Sequence, residues 1–226
     1  KYFKIPSGEI TNFPLLQLIA RMNKKIFLST GMSTLNEIKK AINVLIDGGS
    51  KIENITVLHC NTAYPTPYID VNLNAMNTIK EKLKVDVGYS DHTLGIEVPI
   101  AAVAKGAKII EKHFTISRDF DGPDQKVSLE PDELRAMIKS IKKISIALGS
   151  HIKKPTKSEK PNIKVARKSI VAIKDIKKGE EFSESNIGIR RPGTGLHPKH
   201  YYELIGTKSK KIYKIDQLIK LWKKFL

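Results

Sequence analysis

Short apolar runs alternate with longer amphipathic segments along the first two thirds of the chain. The runs predict β-strands at residues 2–6, 25–28, 55–58, 85–88 and 108–110. Because the runs are almost entirely apolar, we expect strands that are buried on both faces of a parallel sheet. The segments between them carry apolar residues at helical spacing and predict α-helices, which are 13–21, 35–45, 74–83, 98–104 and a longer one from 131 to 148.

Polar residues mark the ends of these predicted helices. Thr34 and Glu37 have the spacing of a capping box at the start of the second helix, and Gly48 and Gly49 follow its end. Pro131 is suited to the first turn of the last helix.

Alternating strands and helices favour parallel βαβ units. A (β/α)8 TIM barrel takes about 250 residues for eight units. The five units seen here therefore predict a partial TIM barrel, about the last five β/α units, with roughly three strands and 100 residues missing. The chain has no initiator Met and opens within a predicted strand, so we interpret it as truncated. An open doubly wound sheet is the alternative, although no Gly-rich phosphate fingerprint follows any strand.

Composition divides the chain into three parts. Residues 1–149 form the predicted partial barrel, and residues 150–164 are polar, basic and proline-containing, as in a linker. Residues 165–226 predict a small α+β domain. It would contain a strand at 169–173, a turn at Gly179, a helical start at 183–186, a rigid loop at 190–195 and a short helix at 199–205.

Length, hydrophobic content and cysteine count limit the class of protein to which the chain can belong. The chain has 226 residues, of which 40% are hydrophobic, and no apolar run approaches the roughly 18 residues of a membrane helix. No signal or transit peptide is present, so we expect a cytoplasmic protein without a membrane partner. The single cysteine, Cys60, excludes an internal disulfide framework. We expect it to be a buried small residue rather than a nucleophile.

The formal net charge of +17 comes mainly from lysines spread along the chain. One interpretation is simply solvated lysine faces. The other is a positive field that attracts nucleic acid or a phosphorylated small molecule. Neither an aromatic-interleaved RNA motif nor zinc-finger spacing supports a nucleic-acid partner.

The ends of the predicted strands are rich in polar residues. In a barrel all of them lie at one rim, where active sites are built. Serines there can donate to phosphate oxygens, and Lys4 can supply a positive charge. His92 and His113 follow consecutive strands, so the two imidazoles could share one divalent metal, or each could be an ordinary hydrogen-bonded residue.

Each of two loops allows two interpretations. Asp124 lies in an Asp-, Gly- and Pro-containing segment whose composition favours an ordinary turn, although its carboxylate could hold substrate hydroxyls. The segment from Tyr64 to Tyr68 could be an SH3-type ligand. Because it follows a strand end directly, we favour a stiff active-site loop.

Six ordered motifs strongly resemble the sialic acid synthase family. They are Lys4-Ile5-Pro6-Ser7-Gly8-Glu9, Leu28-Ser29-Thr30-Gly31-Met32, Tyr64-Pro65-Thr66-Pro67, Gly88-Tyr89-Ser90-Asp91-His92-Thr93, Glu111-Lys112-His113-Phe114-Thr115 and Gly122-Pro123-Asp124. Residues 165–226 resemble the family's C-terminal antifreeze-like domain, with Arg191-Pro192-Gly193 as the marker.

The resemblance implies roles for individual residues. It implies catalytic roles for Glu9, Glu111 and Asp124. Phosphoenolpyruvate would be bound by Lys4, Ser7, Ser29, Asn61 and Ser90, and a divalent metal, Mn²⁺ or alternatively Mg²⁺ or Co²⁺, by His92 and His113. The acceptor sugar would contact Glu9, Tyr64, Asp124 and, in trans across a domain-swapped homodimer, Arg191. A looser match at His59-Cys60-Asn61-Thr62 leaves open whether Asn61 or Thr62 faces the ligand.

The implied reaction is condensation of phosphoenolpyruvate with N-acetylmannosamine, an N-acylated hexose, to give N-acetylneuraminic acid and phosphate. A synthase of a related nonulosonic acid of the legionaminic type is the nearest alternative. An inactive fragment and a basic nucleic-acid-binding module are the others. Because barrel strands are missing, we expect the truncated chain by itself to be inactive.

Overall fold

The computed structural model describes residues 1–220, so the last six residues of the predicted second domain lie outside the described part. The chain divides into two compact units, Lys1–Gly149 and a second unit that begins at Ser150. Among the described residues, no helix is both long and apolar enough to cross a membrane.

The first unit is built on one parallel sheet with the strand order β1-β2-β3-β4-β5. The strands are β1 (Tyr2–Ile5), β2 (Lys25–Ser29), β3 (Ile55–Cys60), β4 (Asp86–Asp91) and β5 (Ile110–Lys112). The helices are α1 (Phe13–Arg21), α2 (Leu35–Asp47), α3 (Asn74–Leu83), α4 (Glu97–Ala104) and α5 (Pro131–Ala147). Each strand is added on the same side as the one before it, as in a barrel, whereas a doubly wound sheet reverses direction. The predicted partial TIM barrel is thus confirmed as a five-stranded half-barrel.

Buried aliphatic side chains hold the sheet and helices together. Ile5, Leu28 and Val57 are fully buried in the strands, and α2 contributes Ile42 and Leu45 to the same core. The predicted capping box begins α2, because the Glu37 amide donates to Thr34 Oγ1 over 3.3 Å and the Thr34 amide donates to a Glu37 carboxylate oxygen over 2.7 Å. These contacts satisfy amides that have no partner inside the helix.

Four of the five predicted strands end too early, and the first ends one residue too late. Strands β3 and β4 continue to Cys60 and Asp91, and β5 spans Ile110–Lys112 rather than 108–110. The apolar pattern misplaced these ends because the last residues of β4 and β5 are polar and find their partners on the neighbouring strand. Ladder pairs join Ser90 to Glu111 and Asp91 to Lys112.

The second unit contains a two-stranded antiparallel sheet of β6 (Ser169–Ala172) and β7 (Ile187–Arg190). Its core includes Ile170, Phe182 and Tyr213. Strand β7 was not predicted, and residues 183–186 form a turn rather than a helix. Helix α6 (Lys160–Ala166) also overlaps the predicted linker, with Pro161 in its first turn, where the missing amide costs nothing. Helix α7 (Tyr201–Leu204) lies within the short helix predicted at 199–205.

Candidate active site

A cavity of about 290 Å³ lies at the carboxyl ends of the five parallel strands. Eight of the residues proposed from the sequence line it, and these are Lys4, Ser7, Ser29, Tyr64, Ser90, Glu111, His92 and His113. Pro6, Gly8, Cys60 and Thr62 complete the lining. Side chains alternate along a strand, so Ser90 faces the cavity while Asp91 faces away.

A charged cluster lies on one wall of the cavity. Lys4 Nζ lies 3.2 Å from Glu111 Oε1. The Ser90 hydroxyl donates to the same carboxylate oxygen over 2.7 Å. Strands β1, β4 and β5 therefore place an ammonium, a hydroxyl and a carboxylate at one point, where they can hold an anion or move a proton.

Ser7 is positioned by the loop that follows β2. Its Oγ accepts a hydrogen bond from the Gly31 amide over 2.9 Å and lies 3.3 Å from Cys60 Sγ. A Cβ atom at Gly31 would lie 2.5 Å from Thr62 Cγ2 and 3.0 Å from Ser7 Oγ. Glycine is therefore required at position 31 by close packing. Cys60 is buried, as expected.

The Ser29 hydroxyl has no hydrogen-bond partner among the described residues, although it is buried. A buried hydroxyl without a partner is rare and costs free energy, because nothing replaces its bonds to water. Since Ser29 lines the cavity, its hydroxyl is available to a ligand bound there.

His92 is held in one orientation from two sides. Its Nδ1 lies 2.5 Å from the Asn61 carbonyl oxygen, and the Tyr64 ring stacks on it with centroids 4.1 Å apart. A carbonyl can only accept, so Nδ1 carries the proton and Nε2 keeps its lone pair. Burial lowers the pKa of His92, which favours the neutral ring. A neutral imidazole with a free lone pair is the form that binds metals.

His113 completes a pair of imidazoles. Its ring centroid lies 5.5 Å from that of His92, and Asp124 Oδ2 lies 3.5 Å from its Nδ1. Asp124, favoured as a simple turn residue on composition, thus contacts the pair. No group of three or more His, Cys, Asp or Glu side chains suited to a metal occurs within residues 1–220. The donor set fits a first-row divalent ion that takes two protein imidazoles and completes its shell with oxygen ligands.

Four proposed residues do not line this cavity, and one of them is Asp124, which contacts His113. The Glu9 carboxylate accepts a hydrogen bond from Asn12 Nδ2 over 2.7 Å. Arg191 belongs to the second unit, where its Nε donates to the Ala166 carbonyl over 3.2 Å. Asn61 turns its side chain to its own loop, where Oδ1 accepts from the Ala63 amide over 2.7 Å.

Of the two residues left open, the structure places Thr62 and not Asn61 in the cavity lining. Asn61 acts instead through its backbone carbonyl, which orients His92. Sequence reasoning also gave no role to Asp91 and Lys112, which pair on the other face of the sheet. Asp91 and Lys112 directly precede His92 and His113. Because side chains alternate along a strand, the sequence could have placed both of them on the face opposite the histidines.

Comparison with known proteins identifies the two units. The sequence pattern of the NeuB family matches residues 1–153, and that of the SAF domain matches residues 167–221. An N,N'-diacetyllegionaminic acid synthase of Campylobacter jejuni is 56% identical over 97% of this chain and 66% of its own length. A protein of the same name from Legionella pneumophila is 42% identical over 92% of this chain and 59% of its own length.

A solved structure agrees with these relatives. The N-acetylneuraminic acid (sialic acid) synthetase of Leptospira borgpetersenii matches with a TM-score of 0.66 and 39% identity, over 72% of this chain and 56% of that one. The chain therefore spans less than two thirds of the length of these relatives. The family expected from the six motifs is confirmed, and the chain belongs to the NeuB family, with a SAF domain following its half-barrel.

Proposed function

We propose that this protein is a synthase that condenses phosphoenolpyruvate with an N-acylated sugar and releases phosphate to give a nonulosonic acid. The observation that carries the proposal is the cavity at the strand ends. It combines a lysine, three serines and two adjacent imidazoles, which matches an anionic substrate beside a carbonyl substrate.

Phosphoenolpyruvate binds through its phosphate and carboxylate. Lys4 contributes the positive charge, and the hydroxyls of Ser7 and Ser29 donate to the anionic oxygens. Ser90 would donate to them in place of its hydrogen bond to Glu111. Ser29 supports this role most directly, because its buried hydroxyl has no partner among the described residues. Thr62 lines the same cavity and replaces the Asn61 side chain as the neighbouring contact.

His92 and His113 hold the divalent metal, Mn²⁺ or alternatively Mg²⁺ or Co²⁺. When bound, the metal supplies Lewis-acid polarisation of a carbonyl oxygen. The Asn61 carbonyl supports this role for His92, because it leaves the Nε2 lone pair available. Asp124, next to His113, and Tyr64, stacked on His92, are placed to contact the acceptor sugar, and Glu9 is a further candidate.

The chemistry forms one carbon–carbon bond and breaks one carbon–oxygen bond. The vinyl carbon C3 of phosphoenolpyruvate attacks the aldehyde carbon of the open-chain sugar. The aldehyde oxygen takes up a proton and becomes a hydroxyl, and an oxocarbenium-like centre is left at C2. Water adds to C2, and phosphate leaves with the oxygen that joined it to C2. Glu111, whose Oε1 lies 3.2 Å from Lys4 Nζ, would take a proton from the water. The cavity contributes mainly by orienting both substrates and stabilising charge.

For the acceptor, we favour a 2,4-diacetamido-trideoxy hexose, which would give a legionaminic-type acid. The 56% identity to the Campylobacter synthase supports this choice over the N-acetylmannosamine implied first by the motifs. N-acetylmannosamine remains the second candidate, because the Leptospira sialic acid synthetase shares 39% identity with this chain. Arg191 would bind the N-acyl group in trans within a domain-swapped dimer.

Phosphate release tests the proposal. The complete protein, as its coding sequence specifies it, is mixed with phosphoenolpyruvate, Mn²⁺ and each of the two acceptor sugars. We expect release that requires a sugar and is faster with the diacetamido sugar. Faster release with N-acetylmannosamine would reverse the choice of acceptor. If neither sugar stimulates phosphate release, the proposed function is contradicted.

A further inference from the structure

The only ion pair among the described residues with both side chains almost fully buried lies directly beneath the candidate active site. Lys112 Nζ is 2.6 Å from Asp91 Oδ2, and the two side chains are 2% and 0% exposed. Lys112 also donates to the Thr93 carbonyl. Asp91 accepts from the amide and the hydroxyl of Thr93, each over 3.1 Å. Lys112 Nζ and both Asp91 carboxylate oxygens thus each have at least one partner.

The pair links the two strands that carry the histidines. Asp91 and Lys112 are partners in the last ladder pair of β4 and β5, and His92 and His113 are the next residues of each chain segment. Only three ladder pairs join these strands, whereas five join β3 to β4. A slip of one residue would turn every cavity-facing side chain of β5 to the opposite face. One further backbone bond, from the Lys108 amide to the Val87 carbonyl over 2.8 Å, extends this pairing. With so few backbone bonds, side chains contribute to fixing the register.

Net stability does not explain why an ion pair occupies this place. Removing two charges from water costs about as much as their attraction returns, so apolar replacements of a buried pair are often neutral or stabilising. A lysine and an aspartate at one rung do distinguish the correct register from a shifted one, because a slip would turn Lys112 to the cavity face and leave the Asp91 charge buried without its partner.

We propose that the Asp91–Lys112 ion pair is a positioning element that sets the β4–β5 register and so brings His92 and His113 together at the cavity. The pair acts through the histidines and does not touch the substrates. The expected loss of kcat rests on the proposed function. The role of the pair in fixing the strand register does not depend on that function. Disrupting the pair separates the rings, weakens metal binding and lowers kcat.

A second lysine–aspartate pair offers a matched control. Lys108, two residues before β5, has its Nζ 2.7 Å from Oδ1 of Asp86 at the start of β4, and the two side chains are 62% and 41% exposed. Lys108→Met removes the same kind of charge and contact without reaching the cavity. Lys112→Met leaves Asp91 buried and unpaired, so the double variant Asp91→Asn/Lys112→Met, which is neutral at both positions, is the main test.

The experiment uses the complete protein and three readouts. These are thermal unfolding, Mn²⁺ affinity by calorimetry, and the nuclear Overhauser effect between the His92 and His113 rings in metal-free protein. For the double variant we expect a cooperative fold, a lost ring-to-ring signal, and a 10- to 100-fold weaker Mn²⁺ affinity, about the range for residues that orient metal ligands. We expect Lys108→Met to match the wild type in all three.

Two results would overturn the proposal. One is a folded double variant with wild-type ring-to-ring signal and Mn²⁺ affinity. The other is unfolding of the double variant, since the pair would then act on stability alone. If the wild type neither binds Mn²⁺ nor turns over, the proposed function fails, and the ring-to-ring signal still decides the positioning role.

Discussion

His92 Nδ1 and the carbonyl oxygen of Asn61 lie 2.5 Å apart, so the loop after β3 determines which nitrogen of the histidine at the end of β4 keeps a lone pair. A hydrogen bond of this kind fixes both the tautomer and the ring orientation of a metal ligand. The contact uses the backbone of Asn61, so it is independent of the side chain at that position. His92 is therefore already oriented to offer its Nε2 lone pair to a metal.

Metal binding should depend on both histidines. We expect His92→Ala and His113→Ala each to weaken Mn²⁺ binding more than about 100-fold, since removing a ligand costs more than removing the residue that orients it. Titration calorimetry of the complete protein measures this. His151→Ala is the control, because that histidine is exposed and belongs to the second unit. Unchanged affinity in either cavity variant would disprove the two-histidine site.

Ser29→Ala should impair phosphoenolpyruvate binding without destabilising the fold. The hydroxyl has no partner among the described residues, so its removal breaks no internal hydrogen bond. A hydrogen bond to a charged ligand contributes about 1.5–3 kcal/mol, which corresponds to a KM for phosphoenolpyruvate raised about 10- to 150-fold. Steady-state kinetics and thermal unfolding provide the two measurements.

Ser50→Ala is the matched control for Ser29→Ala. Its hydroxyl is also buried without a partner in the described chain, but Ser50 does not line the cavity. We expect neither its stability nor its KM to change. An equal rise of KM in both variants would remove the support that Ser29 lends to the site.

Arg191→Ala should raise the KM for the acceptor sugar and spare the KM for phosphoenolpyruvate, because the proposed contact is to the N-acyl group. Steady-state kinetics with each substrate varied in turn separates the two effects. Arg190→Ala is the control, since Arg190 is engaged by Asp216 within the second unit. A comparable loss for both substrates would argue against a sugar-specific role in trans.

Acid should weaken the contact between Glu133, in the first turn of α5, and Arg118, which lies in the loop that also carries Asp124. Arg118 hydrogen bonds to Glu133 and thereby lowers the pKa of that carboxyl. A depressed pKa means that the contribution to stability is complete above the ordinary Glu value of about 4.3 and is lost as the pH falls through the lower folded-state value. The stability advantage of wild type over Glu133→Gln should therefore shrink below about pH 4.3.

Urea unfolding at a series of pH values measures this advantage. Asp132→Asn serves as the control, because Asp132 pairs with Arg135 on a strongly exposed surface of α5. A difference between wild type and Glu133→Gln that is constant from pH 7 to pH 3 would show that the Arg118 contact does not stabilise the fold.

The sequence alone determined the class of fold, the order of the elements in the first unit and most of the cavity. Apolar runs place β1 to β4 within a few residues, because burial on both faces demands continuous apolar sequence. The polar residues after each run mark the rim, because the carboxyl ends of parallel strands meet at one edge of a barrel. Lys4, Ser29, His92 and Glu111 were identified in this way and through the family's motifs.

Only the tertiary structure decided the pairings across the sheet. The end of β5 could not be predicted, because Lys112 is buried by a partner 21 residues earlier in the chain and not by its own hydrophobicity. The choice between Thr62 and Asn61 likewise depends on folding, because the Asn61 carbonyl contacts His92, 31 residues later in the chain, and Thr62 lines the cavity. Local patterns report burial and alternation, whereas register and orientation arise from contacts between distant segments, and only folding brings these together.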